Sequence, residues 1–224
     1  MPIPEVQALE PLVWVLPIPT GPWRGVGLMP TVFALESFMD ELAHAVNTDP
    51  LEFWLKHTDN PRIKAALEDV GKRSNWSSPA PSGVARRMAV CLAVGTVVVM
   101  VVEIWLDDGE IHVERVTVSI DAGMVINPAN AELQAKGSVI MGLNSTLLER
   151  IRIENGAVVQ SNFADYPLIT SKATLKNIEV YFLEGGDTPH GMGEPVIGPV
   201  PAAVANALFA LNGQRLRELP LVLS

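Results

Sequence analysis

Cysteine is nearly absent from this chain, and its scarcity excludes two kinds of site. Cys91 is the single cysteine among 224 residues. It has no partner for an internal disulfide, and the chain has no cysteine cluster that could hold a metal. Because Cys91 lies within an apolar run, we expect a buried and unreactive thiol.

Positive charge is also scarce, which limits the partners that the chain can bind. Sixteen basic residues stand against 25 acidic ones, and the formal net charge is −9. Such a chain repels phosphate backbones and anionic membranes, so we expect no nucleic-acid partner. Charged residues make up only 18% of the chain, whereas 48% is apolar. This balance predicts a large buried interface, either with a partner or in a homo-oligomer.

No apolar run is long enough to span a membrane as a helix. The longest, residues 88–102, contains Gly95 and stops at Glu103, short of the roughly 20 residues that a membrane helix requires. The first ten residues show neither a positive segment nor a hydrophobic core with a cleavage site. We therefore expect a cytoplasmic chain without a membrane span.

Turn and cap signals divide the chain into short helices and hairpins. Helices are predicted near residues 33–46, from Pro50 behind Asp49, at 61–70 before Gly71, at 128–148 and at 201–211. Strands are predicted at 88–105 and 111–120 around Asp107-Asp108-Gly109, in a hairpin at 150–160 that turns at Asn155-Gly156, and at 178–183. This mixture of short helices and antiparallel hairpins predicts an α+β fold.

The turn-rich segment SNWSSPAPSG, residues 74–83, is the best candidate for a break in the chain. We predict a first part, residues 1–83, that contains a glycine-rich loop and helices. A second part, residues 84–224, would contain the α+β segment with the C-terminal GMGEP loop and its helix. We expect the two parts to form one continuous unit.

Three glycine-rich segments are candidates for ligand binding: residues 20–27, 134–142 and 185–199. Glycine lets the backbone approach an anionic or planar ligand closely. None has a Walker or dinucleotide pattern, and TGPWRGVG at 20–27 lacks the Lys-Ser/Thr of a phosphate loop. From spacing alone, this segment is either a turn or a ligand loop.

Glu194 is the most suggestive single residue, because it is an isolated carboxylate within HGMGEPVIGP. Such a group is a candidate general base. Alternatively, it only complements the positive end of the helix that follows, which contributes about 0.3–1 kcal/mol. His190 has no second histidine or carboxylate at ligand spacing, so we predict a loop residue and no metal held directly by side chains.

Five segments in unbroken order resemble the molybdopterin-binding large subunits of molybdenum hydroxylases, the xanthine oxidase family. The resemblance is greatest to the isoquinoline 1-oxidoreductase β-subunit and the related aldehyde dehydrogenase branch, and it implies the C-terminal half of the molybdopterin-binding domain. The segments are GPWRGVG (21–27), FALESFMDELAHAVNTDPLEFWLKH (33–57), VERVTVSIDAGMVINPANAELQAKGSVIMGL (113–143), QSNFADYPLI (160–169) and HGMGEPVIGPVPAAVANALFALNGQRLRELPL (190–221).

The resemblance implies a molybdenum cofactor on a pterin dithiolene, in bacteria often as the cytosine dinucleotide, held by hydrogen bonds and without a thiolate ligand. It implies an oxidoreductase that hydroxylates an aldehyde or an N-heterocycle with water as the oxygen source. Electrons would leave through iron–sulfur clusters in a separate subunit or domain.

The same resemblance assigns roles to individual residues. Glu194 matches the family's catalytic base. Arg24, Gly25, Val26 and Gly27 match the loop beside the cofactor's oxo group, and Trp23 would help to wall the pocket. Gln134 and Gly137 match the segment that contacts the pterin, and Gly193 is assigned to the cofactor loop with them. For Asn162, Asp165 and Tyr166, loop hydrogen bonding is expected.

The chain also departs from the family's pattern. The large subunits have a long N-terminal region with another cofactor loop, and nothing here matches it. Residues 1–224, which begin with Met1, are therefore expected to need a second large-subunit fragment for activity, or to be a non-catalytic binding relic of the same fold. Val26 and His190 differ from residues usual in relatives, which leaves the substrate open.

Overall fold

The structure is a computed structural model that describes residues 21–170, 175 and 177–223. The first ten residues, considered above for a leader, and Thr20 lie outside the described residues. The elements are α1 (Leu28–Ala45), α2 (Pro50–His57), α3 (Pro61–Arg73), β1 (Ala85–Ala93), β2 (Thr96–Asp107), β3 (Glu110–Asp121), α4 (Pro128–Leu147), β4 (Ile153–Glu154), β5 (Ala157–Val158), β6 (Ile178–Phe182), a 3₁₀ helix (Pro195–Ile197) and α5 (Val200–Asn212). The predicted α+β class is confirmed.

The main sheet has four strands in the order β1-β2-β3-β6. The first three form an antiparallel meander, whereas β6 pairs with β3 in parallel. Helix α3 packs Leu67 and Val70 on one face, and α4 and α5 pack on the other. Because both faces are buried, β2 is apolar at every position from Val97 to Val102, without the alternation of a half-exposed strand.

Two of the predicted boundaries are wrong. The run predicted as one strand over 88–105 is two strands, because Val94 and Gly95 turn the chain with φ of 44° and 81°. Ala93 pairs with Thr96 across this two-residue turn, which needs positive φ at both central positions. Helix α3 also continues through Gly71 to Arg73. A Cβ on Gly71 would lie 3.4 Å from Leu51 Cδ2, an ordinary van der Waals distance, so the packing of α2 on α3 does not require glycine here.

The other predicted elements are confirmed within a few residues. Helix α4 begins behind Asn127, whose side chain accepts a hydrogen bond from the backbone of Asn130. The β4–β5 hairpin turns at Asn155-Gly156 with φ of 52° and 79°. The predicted burial of Cys91 is confirmed. Burial, together with the nearby charge of Glu36, raises the pKa of its thiol to about 12.

One helical segment among the described residues, Pro195–Asn212, is long and apolar enough by composition to cross a membrane. In this fold 78% of the segment is buried, and residues 200–208 are buried without interruption. The core helix of a globular domain meets the same criterion of length and composition. The apolar run at 88–102, by contrast, forms β1 and part of β2.

Hydrogen bonds from two arginines of the sheet join the segment 74–83 to it. Arg86 and Arg115 donate to the carboxylate of Glu103 at 2.6 and 3.0 Å, and Arg86 also donates to the carbonyl oxygens of Asn75 and Ser78. Burial works to raise the pKa of Glu103, but the hydrogen bonds from both arginines hold it below its ordinary value. The division at residue 83 stays a prediction, and the chain on its two sides is in direct contact here.

Glu103→Ala is expected to lower the free energy of unfolding by about 3 kcal/mol, because it leaves Arg86 buried and without its ionic partner. Urea unfolding at pH 7 measures this change. The control is Glu154→Ala, which removes an exposed carboxylate 3.9 Å from Arg152 and should cost less than about 1 kcal/mol. Equal losses in the two variants would contradict the importance of the buried pairs.

Candidate functional site

The side chain of Arg24 connects parts of the three glycine-rich segments. Its Nε donates to the carbonyl oxygen of Gly193 at 2.6 Å, across 169 positions of sequence. One terminal nitrogen, Nη2, donates to Gln134 at both the backbone oxygen (3.3 Å) and the side-chain Oε1 (3.0 Å). A planar guanidinium is suited to such a fork of bonds, because its donors are fixed relative to one another. Arg24, Gln134 and Gly193 are thus brought into direct contact.

Glycine at position 25 is required by the way the first segment packs. Gly25 is buried with φ of +90°, and an added Cβ would lie 2.7 Å from Ile197 Cγ2. That distance is well inside van der Waals contact, and the positive φ disfavours any other residue type. The loop 23–27 therefore lies directly against the 3₁₀ helix that follows Glu194.

The middle segment, residues 134–142, lies within helix α4 and is not a loop. Gln134 and Gly137 are exposed on this helix, and a Cβ on Gly137 would meet nothing closer than Arg24 Nη1 at 3.9 Å. Gly142, by contrast, allows the helix to pack, because a Cβ there would lie 2.8 Å from Val200 Cγ2. Only the N-terminal part of the segment, near Arg24, is open to a ligand.

Glu194 precedes the 3₁₀ helix Pro195–Ile197 and is half-buried. Its backbone oxygen accepts a hydrogen bond from the amide of Ile197 at 3.0 Å, but its side chain makes no capping hydrogen bond. The carboxylate is therefore not a hydrogen-bonding cap of this helix, and its role as general base or as a charge that complements the helix end stays a prediction. Burial lowers the pKa of Arg24, and the negative charge of Glu194 partly offsets this effect, so the two charges interact across the site.

The turn of β1 and β2 supports the loop that carries Glu194, a feature that sequence analysis missed. The amide of Gly191 donates to the carbonyl oxygen of Val94 at 3.2 Å, and Thr96 Oγ1 donates to the carbonyl oxygen of Gly191 at 2.7 Å. The ring of His190 covers Gly95, where an added Cβ would lie 2.6 Å from Nδ1. The signal in the sequence is Gly95, a glycine that interrupts an otherwise apolar strand run.

Gly123, at the end of β3, is a second residue that was missed. An added Cβ on Gly123 would lie only 2.0 Å from the carbonyl oxygen of Thr188, and the amide of His190 donates to Ala122 at 2.9 Å. His190 is therefore a packed loop residue, as predicted. In the part of the chain that the structure describes, no group of three His, Cys, Asp or Glu side chains could hold a metal.

Trp23 and Val26 lie on the exposed side of the first loop, each with more than half of its side chain accessible. A cavity of about 470 Å³ opens beside them and is lined by residues 21–27 together with Met29, Pro30, Ser145 and Leu219. Gln134, Gly193 and Glu194 are not part of its lining. The first loop thus lines a cavity of its own, whereas Gln134 is exposed on α4 and Glu194 is half-buried beside the 3₁₀ helix.

The segment around Asp165 is held by its own hydrogen bonds, as expected. The carboxylate of Asp165 accepts hydrogen bonds from the backbone amides of Ser161 and Asn162, each at 2.9 Å. These bonds hold the pKa of Asp165 below its ordinary value, and they account for the side chain without a ligand.

Comparison with known proteins gives a consistent family assignment. Residues 66–174 match the profile of a molybdopterin cofactor-binding domain. The chain is 33% identical over 204 residues to the β-subunit of isoquinoline 1-oxidoreductase from Brevundimonas diminuta, covering 88% of this chain and 26% of the relative. It is 34% identical over 226 residues to one of the subunits of nicotinate dehydrogenase from Pseudomonas putida, covering 92% of this chain and 19% of the relative.

The fold is shared with part of a solved structure. Aldehyde oxidoreductase from Desulfovibrio gigas superposes with a TM-score of 0.68 at 13% identity, over 88% of this chain and 40% of that one. The chain belongs to the molybdopterin-binding subunits of the xanthine oxidase family. It spans about a quarter or less of the length of the two curated relatives described above.

Proposed function

We propose that this chain forms one side of the active site of a molybdenum-dependent hydroxylase. The observation that carries the proposal is the contact of Arg24 with Gln134 and Gly193, which brings two of the family's cofactor segments and the loop of Glu194 to one open surface. The relatives are named for oxidation of isoquinoline and nicotinate. We therefore propose an aldehyde or an N-heterocycle as the substrate class.

The residues present fit a cofactor that is held through its organic part. Gly137 and Gly193 leave space beside Arg24 that a side chain would reduce. Gln134 offers its amide nitrogen on the surface, since its Oε1 already accepts from Arg24.

In this proposal each residue has a defined task. The backbone of Arg24, Gly25, Val26 and Gly27, with Trp23 beside it, forms one wall, and Gln134, Gly137 and Gly193 hold the pterin. When bound, the molybdenum cofactor supplies the two-electron redox chemistry. Glu194 accepts the proton of the water-derived nucleophile that attacks the substrate carbon.

The remaining features of the enzyme are proposed on the family resemblance. They are a cytosine dinucleotide form of the cofactor, an iron–sulfur subunit that takes the electrons, and a further portion of the large subunit that closes the site. The further portion of the large subunit is supported by the extent of the sequence match, because this chain aligns with only 26% of the isoquinoline 1-oxidoreductase relative. A cytoplasmic location also stays a prediction.

Metal and pterin content tests the proposal. Residues 1–224 are purified alone and in complex with a polypeptide that carries the rest of the subunit. We expect near-stoichiometric molybdenum and pterin in the complex only, because the surface of this chain leaves the site open. A well-folded complex without molybdenum would instead favour a non-catalytic binding protein of the same fold.

A further inference from the structure

Helix α1 has two of its three acidic side chains buried, whereas two of its large apolar side chains and that of its C-cap residue point outward. Glu36 and Asp40 are buried, whereas Leu35, Phe38 and the C-cap residue Val46 are 52%, 54% and 60% exposed. A helix on the surface of a water-soluble domain normally has the opposite arrangement. The outward side of α1 is therefore suited to contact with protein.

The inward acidic residues fix the orientation of α1. The carboxyl group of Glu36 accepts hydrogen bonds from the backbone amide of Val90 at 2.7 Å and from the indole N–H of Trp54 at 3.1 Å. One turn further on, Asp40 forms ion pairs with Arg215 and Arg87. Rotating the helix to bury Leu35 or Phe38 would break these buried interactions, so the apolar side chains stay outward.

Charge on the outward face is confined to its edge, where Glu41 is 26% exposed and forms an ion pair with Arg217. The exposed positions between residues 28 and 45 hold no Asp, Glu, Lys or Arg; they are Pro30, Thr31, Ala34, Leu35, Phe38, His44 and Ala45. Positions 31, 34, 35, 38 and 45 repeat at helical spacing and share one side of an 18-residue helix, about 27 Å long. A stripe of this length with one ion pair at its margin, in a chain with a net charge of −9, marks an interaction surface.

We propose that this outward face of α1, from Thr31 to Val46, is the docking surface for the remainder of the molybdopterin-binding subunit, whether that part is joined to this chain or is a second polypeptide. The proposal rests on the proposed function and names the partner of its site. Helix α1 starts directly after Gly27, so the face is continuous with the loop that exposes Trp23 and Val26.

Two observations favour the remainder of the subunit over a second copy of the chain as the partner: the share of a related structure that this chain matches, and the net charge of the chain. The shared fold accounts for only 40% of the aldehyde oxidoreductase chain, so that protein has a large portion with no counterpart here. Two copies of residues 1–224 would each have a net charge of −9, and like charges disfavour their association. An apolar helix face received by a groove of the partner is a common mode of recognition.

Lysine substitutions on the outward face test the proposal. The variants are Leu35→Lys and Phe38→Lys, and the matched control is Val158→Lys on β5, where Val158 is 50% exposed. Binding of residues 1–224 to the separately produced remainder of the subunit, from the same organism, is measured by calorimetry. We expect Leu35→Lys and Phe38→Lys to weaken binding by about a hundredfold each, as for central interface residues, and Val158→Lys to leave it unchanged.

Thermal unfolding of each isolated variant should match that of the wild type, because the substituted side chains point outward. Normal binding by both α1 variants would overturn the choice of this face. Failure of the wild-type chain to bind the remainder, or a wild-type homodimer that the α1 variants dissociate, would overturn the choice of partner. A tight complex that contains no molybdenum would support the docking surface while refuting the proposed function.

Discussion

Glu194→Gln in the assembled enzyme is expected to lower the turnover rate by about 10²–10⁴-fold, the usual contribution of a general base. The amide has nearly the same shape as the carboxylate but cannot accept the proton. Glu194 makes no side-chain cap of the following helix, and the loop around it is held by Gly191, Thr96 and Val94. The substitution should therefore leave the fold, and the molybdenum and pterin content, unchanged.

Steady-state rates with an aldehyde and with an N-heterocycle measure this effect, and metal analysis accompanies each preparation. Glu184→Gln is the matched control, because Glu184 is an exposed carboxylate ten residues earlier in the chain. It should retain the wild-type rate. A Glu194→Gln enzyme that holds its cofactor and turns over normally would remove Glu194 from the mechanism.

The second large effect concerns stability, and it arises from Glu36. Burial raises the pKa of this carboxyl group to about 8, the charge of Asp40 adds to the effect, and hydrogen bonds from Val90 and Trp54 oppose it. The folded protein therefore binds a proton at pH values where the unfolded chain has lost it. This contribution to stability is complete below about pH 4.5 and is lost as the pH rises toward 8.

A shift of this size corresponds to a loss of about 3–5 kcal/mol in the free energy of unfolding between about pH 4.5 and 8. Glu36→Gln, which is neutral at every pH, should remove that slope, and it can keep the hydrogen bonds from Val90 and Trp54 through its amide oxygen. Urea unfolding at pH 5, 6, 7 and 8 measures the slope. Every other titratable group is the same in both proteins, so the difference between their slopes isolates Glu36.

The control for this series is Glu52→Gln. Glu52 is exposed and forms an ion pair with Lys56 one turn along α2, so its substitution should leave the pH dependence unchanged. Parallel curves for wild type and Glu36→Gln would show that the carboxyl group titrates normally, and would contradict its burial between α1, α2 and β1.

Local signals predicted the elements of the fold where the residue type itself favours the conformation. Asp108-Gly109 and Asn155-Gly156 turn the chain with positive φ at both positions, which Asp, Asn and Gly adopt readily. Val94-Gly95 makes the same kind of turn, but a β-branched residue rarely adopts it. Contacts from Gly191 and His190, nearly 100 positions away, hold this turn, and no local pattern contains that information.

The candidate site shows the same division between local and distant information. The resemblance selected Arg24, Gln134 and Gly193 one by one, and their mutual hydrogen bonds became visible only in three dimensions. Helical periodicity predicted α1, but it could not tell that Glu36 faces inward and Phe38 outward. That choice depends on the amide of Val90 and on Arg215, which lie on other parts of the chain.

Anomalous diffraction at the molybdenum absorption edge gives the position of the metal in the assembled subunit. We expect a single strong peak over the surface formed by Arg24, Gln134 and Gly193, within reach of the Glu194 carboxylate. A peak that contacts none of these residues, or a fully assembled crystal without a molybdenum peak, would contradict the proposed site.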